Sequence, residues 1–313
     1  MKKALPLIIA VAMLLTMSVP TYASSSVTAK FAGHMAGTSG NLAYFAIGMD
    51  GGGPLYKYNV KTQKKTKLSG AKWGNLTTKG KYIYGEVDKI KGSDGSDRYI
   101  YRIRRDGKNK KKLAAGYSPV VKGKYIYYIA VTKHVFDYVG KIDYTIKGIY
   151  RMNLNGTGKK KIVDFYFSTR AGKYDALGVI SGSRFVFRDF SERQWYIGKK
   201  GQMNGTKFNG NVYGNMSIHM SRYNGFESAT KVRAGSTTYT ASGSKLYARN
   251  SSGKKQIASV KGYIEKIIVS GNQICTISGS SDNQHYFVYI MSKNGSNKKK
   301  VAQGDIVSGG WGY

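Results

Sequence analysis

KGIYRMNLNGTGKKKIVD, residues 147–164, decides the fold. Ile149 to Leu154 reads as a strand, Asn155-Gly156 as a turn, and the run opening with Lys159, Lys160 and Lys161 as a second strand. An Asn-Gly pair between two such runs predicts a hairpin with a two-residue type I′ turn, which needs positive φ at both central residues. The pattern recurs. YIYRIRRDGKNKKKLA (99–114) turns at Asp106-Gly107, and FVYIMSKNGSNKKKVA (287–302) at Asn294-Gly295. LYARNSSGKKQIA (246–258) is a shorter copy, and LYKYNVKTQKKTKL (55–68) a copy without the glycine.

A second box precedes these hairpins. KGKYIY stands letter for letter at 79–84 and 122–127, with SGNLAY at 39–44 and looser copies at 181–186 and 270–275. Each is a turn followed by aromatic and β-branched residues, which favour a packed, pleated surface. The unit is therefore strand, glycine turn, aromatic strand, loop, strand, Asx-Gly turn, lysine-rich strand. Four antiparallel strands at about 40–45 residues per repeat are the arithmetic of a β-propeller blade. Four prolines and no sustained 3.6-residue apolar period argue against helices. The expectation is an all-β chain, a β-propeller of four-stranded antiparallel blades spanning residues 24–313, six blades in number. Seven would need one more between Met203 and Gly235. The fifth blade draws its early strands from Asn211 to Gly243, and Leu246 onward belongs to the hairpin half of that blade. Ring closure is expected between the segment around Phe31 and the segment from Ile306, and Thr132 to Lys147 is read as a variable loop.

The unit KYIYY…IYRMNLNGTGKKKIV resembles the repeats of bacterial secreted propellers related to the LDL-receptor YWTD type and to TolB. The likeness runs from about Ser39 to Gly304 and is weak between Phe165 and Gly243. The YWTD tetrapeptide is absent, with Tyr82-Ile83-Tyr84-Gly85 and Tyr125-Ile126-Tyr127-Tyr128 in the comparable place. The resemblance implies the fold, and only loosely a binding or scaffolding role.

Lys2 and Lys3, the apolar run Ala4 to Val19, and Thr21-Tyr22-Ala23 read as the n-region, h-region and cleavage site of a signal peptide over 1–23. The expected location is secreted and extracellular, with non-covalent retention at the cell surface. No membrane span is expected in the mature chain. The single Cys275 excludes an internal disulfide framework, and its setting, Ile274-Cys275-Thr276-Ile277, reads as a buried small hydrophobe.

Charge narrows the partners. Lys and Arg number 51 against 16 Asp and Glu, a formal net charge of +35. Such a field attracts polyanions. Lysines (39) far outnumber arginines (12), which favours diffuse attraction to a repeating anion over a shaped phosphate pocket. Lys64, Lys65 and Lys67; Lys110, Lys111 and Lys112; Lys159, Lys160 and Lys161; Lys254 and Lys255; and Lys298, Lys299 and Lys300 each begin the last strand of a repeat. In a propeller that strand is outermost. Edge lysines guard against aggregation, but edge protection does not require so few acids. The expected role is non-enzymatic binding of anionic cell-wall polymer or acidic polysaccharide by a lysine-rich rim. Nucleic acid enters only as a non-specific polyanion. The alternatives are a polysaccharide lyase or glycoside hydrolase with a central-channel site, and a protein–protein interaction scaffold.

No catalytic residue, metal site or cofactor is assigned. His34, His134, His219 and His285 are scattered without metal-ligand spacing. A glycosidase needs two facing carboxyls; Asp189 and Glu192, near Trp195, are the best local pair, with Arg188 or Arg193 as salt-bridge partners. Asp94 and Asp97 in GSDGSDRY lack the rest of a calcium loop and read as a polar turn. Trp73, Trp195 and Trp311 fall outside the boxes, with core or closure packing favoured over stacking a sugar or base.

Overall fold

The computed structural model describes residues 26–47, 52–90, 96–136, 142–164, 174–189, 194–203, 205–214, 220–222, 225–227, 230–282 and 285–305. Residues 1–23, read above as a signal peptide, the segment from Ile306 expected to close the ring, and Trp311 lie outside them.

The described chain is strand throughout. β1 (Ser26–Phe31) precedes a first four-stranded antiparallel sheet of β2 (Met35–Gly37), β3 (Leu42–Phe45), β4 (Gly53–Asn59) and the start of β5 (Lys65–Lys79). β5 then becomes the innermost strand of the second sheet, with β6 (Tyr82–Ile90), β7 (Ser96–Arg104) and the start of β8 (Lys111–Lys122). β8 repeats the manoeuvre and opens the third sheet, with β9 (Tyr125–Phe136), β10 (Ile142–Asn153) and β11 (Lys160–Asp164). The fourth sheet is β12 (Tyr174–Val179), β13 (Arg184–Asp189), β14 (Gln194–Lys199) and β15 (Thr206–Phe208). After β16 (Asn211–Gly214), β17 (Met220–Arg222) and β18 (Gly225–Glu227) come the fifth and sixth. The fifth is β19 (Lys231–Ala234), β20 (Thr237–Ser242), β21 (Lys245–Asn250) and β22 (Gly253–Ser259), and the sixth is β23 (Tyr263–Ser270), β24 (Gln273–Gly279), β25 (His285–Ser292) and β26 (Lys299–Asp305).

The architecture is a β-propeller. Six four-stranded meanders are traced among the described residues, and the stretch where a seventh would have to lie, Met203 to Gly235, holds β15 of the fourth sheet, β19 of the fifth and, between them, β16, β17 and β18. Leu246 does begin the hairpin half of the fifth sheet, since β21 is its third strand.

Apolar side chains weld neighbouring sheets face to face. Tyr44, Leu55, Trp73, Leu76 and Ile103 join the first sheet to the second, and Tyr84, Leu113, Ile126 and Met152 the second to the third. Ile149, Ile162, Leu177 and Phe187 join the third to the fourth, and Leu246, Ile267 and Met291 the fifth to the sixth. Burial on both faces explains why runs such as residues 125–131 are apolar at nearly every position.

Closure differs from the sequence expectation. The last sheet meets the first by packing, with Met35, Phe45 and Tyr58 against Ile268, Cys275 and Val288. Asn272 N–H donates to the Thr38 carbonyl at 2.8 Å, and Thr38 N–H to Gln273 Oε1 at 3.1 Å. Phe31 pairs with Gly178 of β12, while β1 pairs in parallel with β16 on its other side. The fourth sheet thus gains two extra inner strands, which reach towards β19. Gly178 and Gly214 make room for the Phe31 ring: a Cβ on either would lie about 2.5 Å from it.

Two local expectations are also corrected. The Asx-Gly loops are three residues long. Asn153 N–H donates to the Thr157 carbonyl and Gly156 N–H to the Asn153 carbonyl, each at 2.9 Å, and within Leu154-Asn155-Gly156 only Gly156 has positive φ (94°). This is a type I turn closed by a left-handed glycine, the next most common hairpin loop after the two-residue turns. Arg104–Lys108 and Ser292–Ser296 repeat it. The loop is stabilised by the Asx side chain, which the I′ reading ignored: Asn155, Asp106 and Asn294 each accept a hydrogen bond at 3.0 Å from the backbone two residues on. The segment from Thr132 is largely strand, since β9 runs to Phe136 and β10 starts at Ile142.

Candidate functional site

The site begins with one irregularity repeated in five sheets. Between the third and fourth strands the pairing slips by one residue at the same place. Leu55 pairs with Ser69 and Tyr56 with Lys67; Ile100 with Ala114 and Tyr101 with Lys112; Ile149 with Val163 and Tyr150 with Lys161; Val288 with Ala302 and Tyr289 with Lys300. In the fifth sheet Leu246 pairs with Ala258 and Tyr247 with Gln256. The residue left over is always apolar: Leu68, Leu113, Ile162, Ile257 or Val301. A bulge bends its strand and re-aims side chains. Here it turns one apolar residue towards the neighbouring sheet and leaves the lysines before it at the edge.

All fourteen lysines named from the sequence are exposed. Several lie over the aromatic residues of the adjacent strand: Lys65 is 5.0 Å from the Tyr56 ring centre, Lys112 4.3 Å from Tyr99, Lys254 4.4 Å from Tyr247 and Lys300 5.7 Å from Phe287. Ring and stem hold the ammonium at the surface while its charge stays in water. Some are also tied to the fold. Lys65 Nζ donates to the Val301 carbonyl at 2.9 Å, across the junction of the first and last sheets, and Lys298 Nζ donates to the Ser259 carbonyl. Lys161 is hydrogen-bonded to Asp164 at 3.0 Å, which raises the lysine's pKa.

The lysines share one end of the sheets. Each run follows the turn between third and fourth strands, and that turn sits beside the turn between first and second strands. Arg105 N–H donates to the Lys81 carbonyl (3.0 Å), Lys200 to Ser183 (2.8 Å) and Lys293 to Asn272 (3.0 Å). The fourth sheet has no run in its outer strand, but Lys199 and Lys200 occupy its turn and are exposed. Sequence reasoning placed these two only beside Trp195; the turn signal Gly198-Lys199-Lys200-Gly201 would have added them to the belt.

The other candidates do not assemble. Among the described residues no group of three His, Cys, Asp or Glu side chains stands together as a metal site. Burial, then the nearby Lys266 charge, pushes His34 down to about 3, so it is neutral at physiological pH. Burial pushes the Cys275 thiol up to about 12, in keeping with a packed, unreactive side chain. His219, Asp94, Glu192 and Arg193 lie outside the described residues, as do the side chains of His134, Asp97 and Asp189. Arg188 is not a loop residue. It is buried in β13, with its guanidinium 5.9 Å from the Trp195 ring. Trp73 is fully buried, and Trp195 packs edge-on against Phe31 at 6.1 Å.

No protein-family profile and no curated protein matches this sequence. Solved structures do resemble it in fold. TolB from Acinetobacter baumannii matches at 12% identity over 88% of this chain and 64% of its own, with TM-score 0.44. The Mycobacterium tuberculosis puromycin-hydrolyzing peptidase matches at 10% identity over 87% of this chain and 46% of its own, with TM-score 0.46. The nidogen/laminin complex matches at 12% identity over 80% of this chain and 90% of the other, with TM-score 0.40. The chain thus spans about two thirds of the TolB and about half of the peptidase. This chain is similar in fold to TolB-like and YWTD-like propellers. The expectation of a protein without enzymatic activity is corrected: acylaminoacyl peptidases, a puromycin-hydrolyzing peptidase and an isopeptidase are among the similar structures.

Proposed function

We propose that this protein binds anionic polymers outside the cell, wall polymer or acidic polysaccharide in particular, through the cationic end of its propeller. The contact residues are Lys64, Lys65, Lys67, Lys110–Lys112, Lys159–Lys161, Lys254, Lys255 and Lys298–Lys300, extended by Lys199 and Lys200. One observation carries the reading: lysines stand at equivalent register positions in the outer strands of successive sheets, exposed, with few acids beside them. The six meanders form, in this reading, one ring of six blades. Lysine ammoniums spaced along a ring suit a repeating anion better than a single shaped ligand, because each is a mobile point charge. The N-terminal sequence 1–23, read as a secretion signal, supports this reading, since wall polymers lie outside the cell.

The test is binding to isolated wall polymer, heparin and DNA across a salt series. The reading expects binding to all three that weakens steeply as salt rises, through screening and counterion release. Adhesion indifferent to salt, or confined to one uncharged polymer, would overturn it.

A further inference from the structure

The inner strands border an open cavity of about 640 Å³, lined by residues of β1, β2, β5, β8, β16, β19 and β23. Its charged lining is all of one sign. Lys30, Lys122, Arg233 and Lys293 border it, and no Asp or Glu does among the described residues. Lys30 comes from β1, the strand inserted beside β12, and Lys79 and Lys122 are close enough to act on its charge. The first lysine of each of the two identical KGKYIY boxes thus lies within electrostatic reach of a third lysine from the N-terminal strand, and of the three Lys30 and Lys122 line the cavity.

Like charges placed this way repel one another. Partial burial, then repulsion from Lys79 and Lys122, holds Lys30 below the ordinary lysine pKa. Lys122 spends its donors on the carbonyls of Val179 and Ile180 at the end of β12. Those dipoles steady it and carry no net negative charge. Thr77 and Thr78 of β5 belong to the same lining and bring no negative charge to it. Lysines and an arginine lining one cavity far larger than a water, with no carboxylate among the described lining residues, suit an oxyanion.

We propose that this central cavity binds a compact multivalent oxyanion, a phosphate group or clustered carboxylates, with Lys30, Lys122, Arg233 and Lys293 in its lining and Lys79 adding to the positive field nearby. The proposal does not rest on the lysine belt, though both lie at the same end of the sheets. A small anion held here neutralises the repulsion and stabilises the folded state by an amount that grows with the logarithm of its concentration above Kd.

The test is calorimetric titration with inorganic pyrophosphate and, separately, citrate at constant ionic strength, with thermal unfolding read in parallel. Three proteins are compared: the unaltered chain, Lys30→Met, and a belt control carrying Lys110→Gln, Lys111→Gln and Lys112→Gln. Tight pyrophosphate binding alone assigns the site to phosphate, and tight citrate binding alone to carboxylates; both support the proposal. Lys30→Met is expected to weaken binding at least tenfold and to abolish the ligand-induced rise in unfolding temperature. Without ligand it should unfold at the same or a higher temperature, because a like charge has left the cluster. The belt control should bind as the unaltered chain does. Absence of binding to either anion at millimolar concentration, equal binding by Lys30→Met, or loss of binding in the belt control would overturn the proposal.

Discussion

Tyr150 lies directly across the sheet from Lys161, while its neighbour Ile149 pairs with Val163, so Ile162 is the one residue between them without an opposite number. Ile162 is buried in the cluster that joins the third sheet to the fourth, and its carbonyl accepts the Gly201 N–H at 2.8 Å from the fourth sheet's turn. The same stitch recurs elsewhere. Gly107 packs on Leu68, Gly156 on Leu113 and Gly295 on Ile257, each a turn of one sheet seated on the bulge residue of the sheet before. The sequence Lys-Lys-apolar after a turn therefore encodes two things: a cationic edge and the seat for the next sheet.

Truncating a bulge residue should thus cost as much as truncating any core residue. Ile162→Ala is expected to lower unfolding stability by about 2–4 kcal/mol, read from urea denaturation. A loss under about 0.5 kcal/mol would mean that Ile162 is not wedged between sheets.

The seating also constrains the turn glycines. Gly295 (φ 85°) and Gly80 (φ 54°) both occupy the left-handed region, but a Cβ on Gly295 would sit 1.9 Å from the Ile257 carbonyl oxygen, whereas one on Gly80 would meet nothing within 4 Å. Gly80→Ala should cost only the backbone term, about 1–2 kcal/mol. Gly295→Ala should cost clearly more, because backbone must move. Equal losses in thermal or urea unfolding would show that the turn does not touch the preceding sheet.

Much of this was legible in the chain. The recurrence of 147–164 carried the fold because each copy holds its turn, its aromatic strand and its lysines within about sixteen residues. The type of turn was not legible, since Asn155-Gly156 suits both a two-residue loop and the three-residue loop found, and the choice falls to the Asn155 side chain. The placing of β1 was hidden for a different reason. A parallel partner 185 residues away (Ser26 with Asn211) leaves no local signature. The Lys30–Lys79–Lys122 cluster was invisible with it, although both KGKYIY boxes were in plain view. Lys199 and Lys200 were missed because the fourth sheet's outer strand carries no run to announce them.

Acid should unfold the protein in part through His34. Its folded pKa of about 3 lies below the ordinary 6.5. Between those values the unfolded chain binds a proton that the folded one refuses, so the contribution is intact above pH 6.5 and is lost as pH falls towards 3. One proton corresponds to a slope of about 1.4 kcal/mol per pH unit. Denaturation midpoints measured from pH 6.5 to 4 should fall less for His34→Gln than for the unaltered chain. Parallel curves would show that His34 is accessible and charged.

Cys275 offers a check on the packing of the last sheet against the first. With its thiol buried and its pKa near 12, it should resist maleimide in native buffer and react at once in urea. Rapid labelling of the native protein would mean that the interface between these sheets opens.

The belt itself is tested most directly by the salt dependence of binding to single-stranded DNA, used as a flexible phosphate polymer. The unaltered chain is to be compared with a variant in which Lys110, Lys111, Lys112, Lys159, Lys160 and Lys161 are changed to glutamine. Each phosphate neutralised adds roughly 0.7 to the slope of log K against log salt. The variant should bind more weakly at low salt, with a slope shallower by about 2 or more, at an unchanged unfolding midpoint. An identical slope in the two proteins would contradict the claim that these lysines form the binding surface.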